Sequence, residues 1–162
     1  SVNVEKIIMS VARKKELERN LLMIYTGDTR SANSILAQQN VAISGGGKFE
    51  NQKRMVKLAF DLKKTLEEND IDDFGRFLHE GWLLKKTLTK AISTSWVDDI
   101  YESGIKAGAL GGKLLGAGGG GFILFYCPLE KQENFRKQMS RYTEMDFQFD
   151  NHGSKIIYIG DK

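Results

Sequence analysis

With a single cysteine in 162 residues, the chain has no disulfide framework on which to build a fold. That cysteine, Cys127, closes the apolar run Gly121-Phe-Ile-Leu-Phe-Tyr-Cys127, and a reducing cytoplasm is the expected setting. No apolar stretch approaches the ~20 residues of a membrane-spanning helix, and nothing ahead of the first expected helix reads as a secretory leader. Charge of one sign is scarce too. The net charge is +3 and the basic excess is scattered, so neither nucleic acid nor a membrane is an expected partner, while an anionic small molecule would suit it. Internal repeats and low-complexity tracts are missing. The first residue is Ser1, inside an expected helix, from which we expect a longer parent protein. What is present is ordinary soluble composition, 41% hydrophobic and 28% charged. The length suffices to bury a core as one domain over residues 1–162.

Helices and strands alternate along the chain. Val2 to about Glu18 reads as a helix, Asn20 to Tyr25 as a strand and Thr26-Gly27-Asp28-Thr29 as a turn. A helix is expected over Arg30 to Gln39, then a loose loop from Val41 to Lys48 around Gly45-Gly46-Gly47. Met55, Leu58, Ala59, Leu62 and Leu66 recur at helical spacing, as do Ile71, Phe74, Phe77, Leu78, Gly81, Leu84 and Leu88. Ser95-Trp96-Val97-Asp98 has the form of a capping box and opens a helix expected to reach Leu110, its Trp96–Ile105 stripe facing the core. Phe122 to Cys127 is almost wholly apolar, as a central strand covered on both faces would be, and Pro128 ends it. A surface helix over Glu130 to Tyr142 follows. Met145, Phe147 and Phe149 alternate with polar residues, and a turn at Asn151-His152-Gly153-Ser154 leads to Lys155–Ile159, closing a hairpin. The expected fold is α+β: a ferredoxin-like antiparallel four-stranded sheet with helices packed on one face.

The segment that carries chemistry is Gly111-Gly-Lys113-Leu-Leu-Gly116-Ala-Gly-Gly-Gly-Gly121. It is not a Walker loop, because Lys113 is followed by leucine rather than Ser or Thr. Nor is it a dinucleotide fingerprint, which needs a strand before the glycines and a helix after; here the pattern reads helix, glycines, strand. Each glycine costs roughly 0.5–1 kcal/mol of conformational entropy relative to alanine, and five stand within Gly116–Gly121. A plain turn has no need of them. Such a run permits positive φ and lets main-chain N–H groups converge on an anion, or lets another backbone approach closely. A flexible hinge is the other reading.

Lys113-Leu-Leu-Gly116-Ala-Gly-Gly-Gly-Gly121-Phe122 resembles the third signature motif of the GHMP kinases (galactokinase, homoserine kinase, mevalonate kinase, phosphomevalonate kinase), a Lys-x-x-Gly-Ala-Gly-Gly-Gly-Gly stretch in their C-terminal domain. The resemblance covers essentially the whole chain. Tyr25-Thr-Gly-Asp-Thr-Arg30-Ser-Ala32, His79-Glu-Gly-Trp82-Leu-Leu-Lys85-Lys86 and Gly108-Ala-Leu-Gly-Gly-Lys113 look most like the D-glycero-D-manno-heptose 7-phosphate kinases within that superfamily. The resemblance implies a GHMP kinase C-terminal domain whose N-terminal, ATP-binding domain is not in this chain. It implies ATP and Mg²⁺ as cofactors and phosphorylation of the anomeric hydroxyl of a sugar phosphate. It implies that Lys113, Gly116, Ala117, Gly118, Gly119, Gly120 and Gly121 lie against the N-terminal domain's phosphate loop and shape the site for ATP phosphates. The family's own phosphate loop, a Pro-x-x-x-Gly-Leu-Ser-Ser-Ser type sequence, does not occur here, and the proposed general base and the Mg²⁺ ligands belong to the N-terminal domain. No catalytic or metal-ligating residue is therefore assigned. Leu115 stands where many members carry Thr or Ser, and Phe122 where many carry Cys.

The remaining candidates concern substrate. Lys113 precedes the glycines and either reaches a phosphate oxygen or offsets a helix dipole. Lys85, three residues after Trp82 and seven after Leu78, lies beside the packed stripe of its helix and either snorkels or points its ammonium into a cleft. Lys86 falls on another face with His79, whose ring either bonds a sugar hydroxyl or is structural. Thr26, Arg30 and Ser31 lie at a strand-to-helix junction suited to an oxyanion, unless Asp28 or Thr29 simply caps the helix. The expected partners are a sugar or sugar phosphate and the chain's own N-terminal kinase domain, with a homodimer left open. Two alternatives stand: a kinase half for a free sugar such as fucose, arabinose or glucuronate, or a stand-alone ferredoxin-like ligand-binding module, since fold alone does not decide function.

Overall fold

A computed structural model of the chain describes residues 4–27, 49–68, 70–88, 92–116 and 118–150. Its elements are α1 (Val11–Arg19), β1 (Leu21–Tyr25), α2 (Phe49–Glu67), α3 (Phe74–Lys86), α4 (Ser95–Lys106), β2 (Gly111–Leu114), β3 (Phe122–Tyr126), α5 (Leu129–Gln138) and β4 (Thr143–Met145). The helix expected over residues 30–39, the loop over 41–48, Ala117 and the second hairpin strand with His152 fall outside the described residues.

The two apolar runs pair with each other. β1 and β3 are antiparallel in a register that sets Leu22 opposite Phe125 and Ile24 opposite Ile123. β2 adds to the far side of β3 and β4 to the far side of β1, giving the order β2-β3-β1-β4. That antiparallel order, with helices between β1 and β2 and between β3 and β4, is the ferredoxin-like arrangement. Side chains alternate across the sheet, so each face has its own core. Leu22, Ile24, Leu114, Ile123 and Phe125 share one face with Val97, Ile100 and Tyr101 of α4 and Phe135 of α5. Leu21 and Tyr126 on the other face meet Leu17 of α1, Leu66 of α2 and Leu78 of α3. The helices therefore divide over both faces rather than one, which is why β3 is apolar at every position.

Four local expectations are corrected. The glycines are preceded by a strand, not a helix end: α4 stops at Lys106 and Gly111-Gly-Lys-Leu114 pairs with β3. Glycine-rich β2 has poor intrinsic strand preference, and tertiary pairing overrides it. It also needs the glycines, because a Cβ on Gly111 would sit 1.8 Å from the Gly75 carbonyl oxygen of α3. The first helix begins at Val11, with the Ser10 hydroxyl capping the Arg13 N–H at 3.2 Å; ahead of it, Val4 and Ile8 are exposed, so no packing rewards a longer helix. The cap of α4 is Thr94, which accepts from Val97 N–H, and Asp98 is committed elsewhere. Trp96 is not core; it is half exposed. Cys127 is fully buried, and burial pushes its thiol up to about 11, well away from thiolate chemistry at neutral pH.

Candidate functional site

β2 and β3 form a hairpin whose connection, residues 115–121, is the glycine segment. Its neck is closed by Leu115 N–H donating to the Phe122 carbonyl at 2.8 Å. Gly116, Gly118, Gly119 and Gly121 have φ of 77°, 127°, 79° and 105°, a region that residues with a side chain enter only at a cost. The middle is tied down by Gly119 N–H donating to the Ile92 carbonyl at 2.9 Å. The far end is tied to Thr26, just past β1. Thr26 N–H donates to the Gly121 carbonyl (2.8 Å), Gly121 N–H donates to Thr26 Oγ1 (2.9 Å), and the same hydroxyl lies 3.0 Å from the Gly121 carbonyl. Trp96 Nε1–H donates to the Thr26 carbonyl at 2.7 Å. The described residues of the loop are therefore tied at the neck, in the middle and at the far end.

Two cations stand beside it. Lys85, from the last turn of α3, donates to the Gly116 carbonyl at 2.7 Å. Lys113 belongs to β2 on the side facing α3. Both line a cleft of about 240 Å³ between α2 and α3, with Met55, Leu58, Phe77 and Trp82 as its apolar walls. Burial lowers the Lys85 pKa, and the charge on Lys113 lowers it further. Among the described residues neither lysine has a carboxylate partner, whereas most other basic side chains on these helices do. Two cations held together without an anion favour binding one.

His79 and Lys86 lie in a different cleft, of about 370 Å³, between α3 and α4. His79 Nδ1 is 2.7 Å from the Tyr101 hydroxyl. Lys86 is paired with Asp98 at 2.6 Å, and Ser93 donates to the same carboxylate at 2.8 Å. These contacts tie α3 to α4. The structure thus gathers Thr26, Lys85, Lys113, Gly116 and Gly118 to Gly121, and places His79 and Lys86 apart from them. Arg30, Ser31 and Ala117 lie outside the described residues. Thr26 sits within the site but beneath it: it is 1% exposed, and its hydroxyl is engaged with Gly121. Ile92 and Trp96 hold the loop without having been expected there. Only the half-polar character of an indole at the first turn of α4 hinted at the second of them.

Residues 62–144, just over half of the chain, match the model of the C-terminal domain of the GHMP kinases. Among curated proteins, the D-glycero-alpha-D-manno-heptose 7-phosphate kinase of Campylobacter jejuni is 28% identical over 94% of this chain and 47% of its own length. The bifunctional fucokinase/GDP-fucose pyrophosphorylase of Arabidopsis thaliana is 30% identical over 90% of this chain and 14% of its own length. Among solved structures, a putative sugar kinase from Campylobacter jejuni superimposes with a TM-score of 0.68 at 25% identity, over 94% of this chain and 43% of that one. The chain spans less than half the length of each relative.

Proposed function

The chain belongs to the GHMP kinase family as its C-terminal domain, and on that premise we propose that it is one half of an ATP-dependent sugar kinase. The observation that carries the proposal is the clamped glycine loop with Lys85 and Lys113 beside it and, among the described residues, no carboxylate paired with either. In this reading Lys113 and the loop backbone face the phosphates of ATP. Lys85, with donors to spare beyond Gly116, faces the distal phosphate of a sugar phosphate acceptor. The heptose 7-phosphate kinase relative supports an acceptor of that class, phosphorylated at its anomeric hydroxyl.

ATP supplies the phosphoryl group and Mg²⁺ neutralises its charge, while transfer depends on positioning. The chain fits the phosphate part of that requirement. It does not fit the metal: among the described residues no three His, Cys, Asp or Glu side chains gather into a metal-binding group. The Mg²⁺ ligands and the base are assigned to the N-terminal half, and the 162-residue chain alone is expected to be inactive. Exposed Phe49, Val56 and Phe60 along α2 provide apolar surface of the kind a domain partner would cover. No helix among the described residues is long and apolar enough to cross a membrane.

A second reading keeps the kinase and changes the acceptor to a free sugar, and the fucokinase relative favours it. ADP release by the full-length protein, across matched sugars and sugar phosphates, tests both. Turnover with sugar phosphates supports the first reading, turnover with free sugars the second, and none with either class overturns both.

A further inference from the structure

The junction of Thr26 with Gly121 departs from an ordinary sheet in a way that reaches the loop. Thr26 stands one residue beyond the Tyr25–Phe122 pair, so it lies opposite Gly121. In a regular antiparallel ladder such a pair exchanges two backbone hydrogen bonds. Here only one is made, from Thr26 N–H to the Gly121 carbonyl at 2.8 Å. The return bond from Gly121 N–H goes to the Thr26 side-chain hydroxyl at 2.9 Å instead of the Thr26 carbonyl. That carbonyl is taken by the Trp96 indole N–H at 2.7 Å. Every donor and acceptor is satisfied, yet the ladder is broken at the residue where Gly121 turns to a φ of 105°. A valine at position 26 would serve a buried strand end equally well, but it could not hold Gly121 in this turned state.

We propose that Thr26 and Trp96 form a latch that sets the direction in which the glycine loop leaves the sheet, and so are positioning residues for phosphoryl transfer. Thr26 holds the loop's last residue through its hydroxyl. Trp96 draws the Thr26 carbonyl towards its indole N–H and away from the Gly121 N–H that a regular ladder would send to it. Neither touches a reacting atom. The link to turnover rests on the kinase reading above; the link to loop geometry does not.

The test combines amide hydrogen exchange on this chain with steady-state kinetics of the full-length protein, using Thr26→Val, Thr26→Ser and Trp96→Phe. Loss of the hydroxyl in Thr26→Val should speed exchange at Gly121 on the order of tenfold, leave Ile123 and Phe125 in β3 protected, and lower kcat with little change in the KM for ATP. Thr26→Ser keeps the hydroxyl and should restore both. Trp96→Phe frees the carbonyl, so Gly121 N–H returns to the ladder: its protection should persist while kcat falls. Wild-type exchange at Gly121 in Thr26→Val overturns the latch. Altered exchange with an unchanged kcat overturns its positioning role. If Thr26→Val does not fold, a Trp96→Phe enzyme with wild-type kcat has the same force. Absence of turnover in the wild-type protein counts against the kinase reading, and the exchange results then decide the latch alone.

Discussion

Gly118 and Gly116 both adopt positive φ, but only one of them is pressed against protein, and that difference can be measured. At Gly116, φ is 77° and an added Cβ would meet nothing within 4 Å. Gly116→Ala therefore carries only the left-handed backbone penalty, about 1–2 kcal/mol. At Gly118, φ is 127°, and an added Cβ would lie 2.9 Å from both the Cα and the carbonyl oxygen of Ile92. That adds backbone strain of about 1–3 kcal/mol to an overpacking cost of about 1–3 kcal/mol, against backbone that cannot swing aside. The loop has a cheaper escape. It can let go of Ile92 and forfeit the Gly119 N–H bond, a net loss of about 1 kcal/mol. We therefore expect Gly118→Ala and Gly116→Ala to be destabilised by similar, modest amounts in urea titration. They should differ at the loop itself. Gly119 should lose exchange protection in Gly118→Ala and keep it in Gly116→Ala. Displacing the loop by about an ångström is expected to lower turnover of the full-length protein about hundredfold in Gly118→Ala. Equal Gly119 protection in the two variants would refute the reasoning.

Four further outcomes follow from the same geometry. Lys85→Met should raise the KM for a sugar phosphate about ten- to a hundredfold, the worth of a charge-assisted bond, with the KM for ATP nearly unchanged; a wild-type value in a folded enzyme removes Lys85 from the site. Because the Lys85 pKa is lowered by burial and by Lys113, sugar phosphate affinity should fall with rising pH below the ordinary lysine range. The fold should gain stability over the same rise, since there the unfolded chain binds more protons; a pH-independent KM contradicts this. Lys86→Met breaks a partly buried pair with Asp98 and should cost about 1 kcal/mol with substrate KM intact, as thermal melts and kinetics would show. Gly111→Ala places a Cβ 1.8 Å from the Gly75 carbonyl oxygen, so the urea midpoint should drop sharply, by more than about 3 kcal/mol in stability; an unchanged midpoint would mean α3 does not ride on β2 as described.

The parts of this fold legible in the sequence are those whose signal is local. α2 and α3 announce themselves by apolar spacing, and β3 by an unbroken apolar run. The strand β2 was not legible, because Gly111-Gly112 carries no side-chain pattern at all. Its strand character comes from pairing with β3 and from the close passage of α3 over Gly111. The same division holds in the site. The glycines and the two lysines could be picked out by residue type, and Lys85 by its place beside the packed stripe. What holds the loop could not. Thr26 meets Gly121 across a separation of 95 residues and Trp96 meets Thr26 across 70, and no periodicity encodes such contacts. Helical spacing sets Lys86 and His79 on another face from Lys85, and the structure turns that face towards α4, where Asp98 and Tyr101 engage them.

The distribution of these restraints also bears on what the glycines are for. At Gly118 the lack of a side chain is demanded from within, by the backbone of Ile92. At Gly116 and Gly121 nothing in the described chain comes near enough to demand it, yet both hold positive φ, and both are gripped, one by Lys85 and the other by Thr26. A hinge would leave such residues loose, since mobility is its purpose. A loop built only to turn would fill the open side with side chains and recover roughly 0.5–1 kcal/mol for each glycine replaced. Holding bare backbone rigidly on an open face makes physical sense when something must approach that face closely. With two lysines at its edge that have no carboxylate partner among the described residues, we propose that the something is an anion.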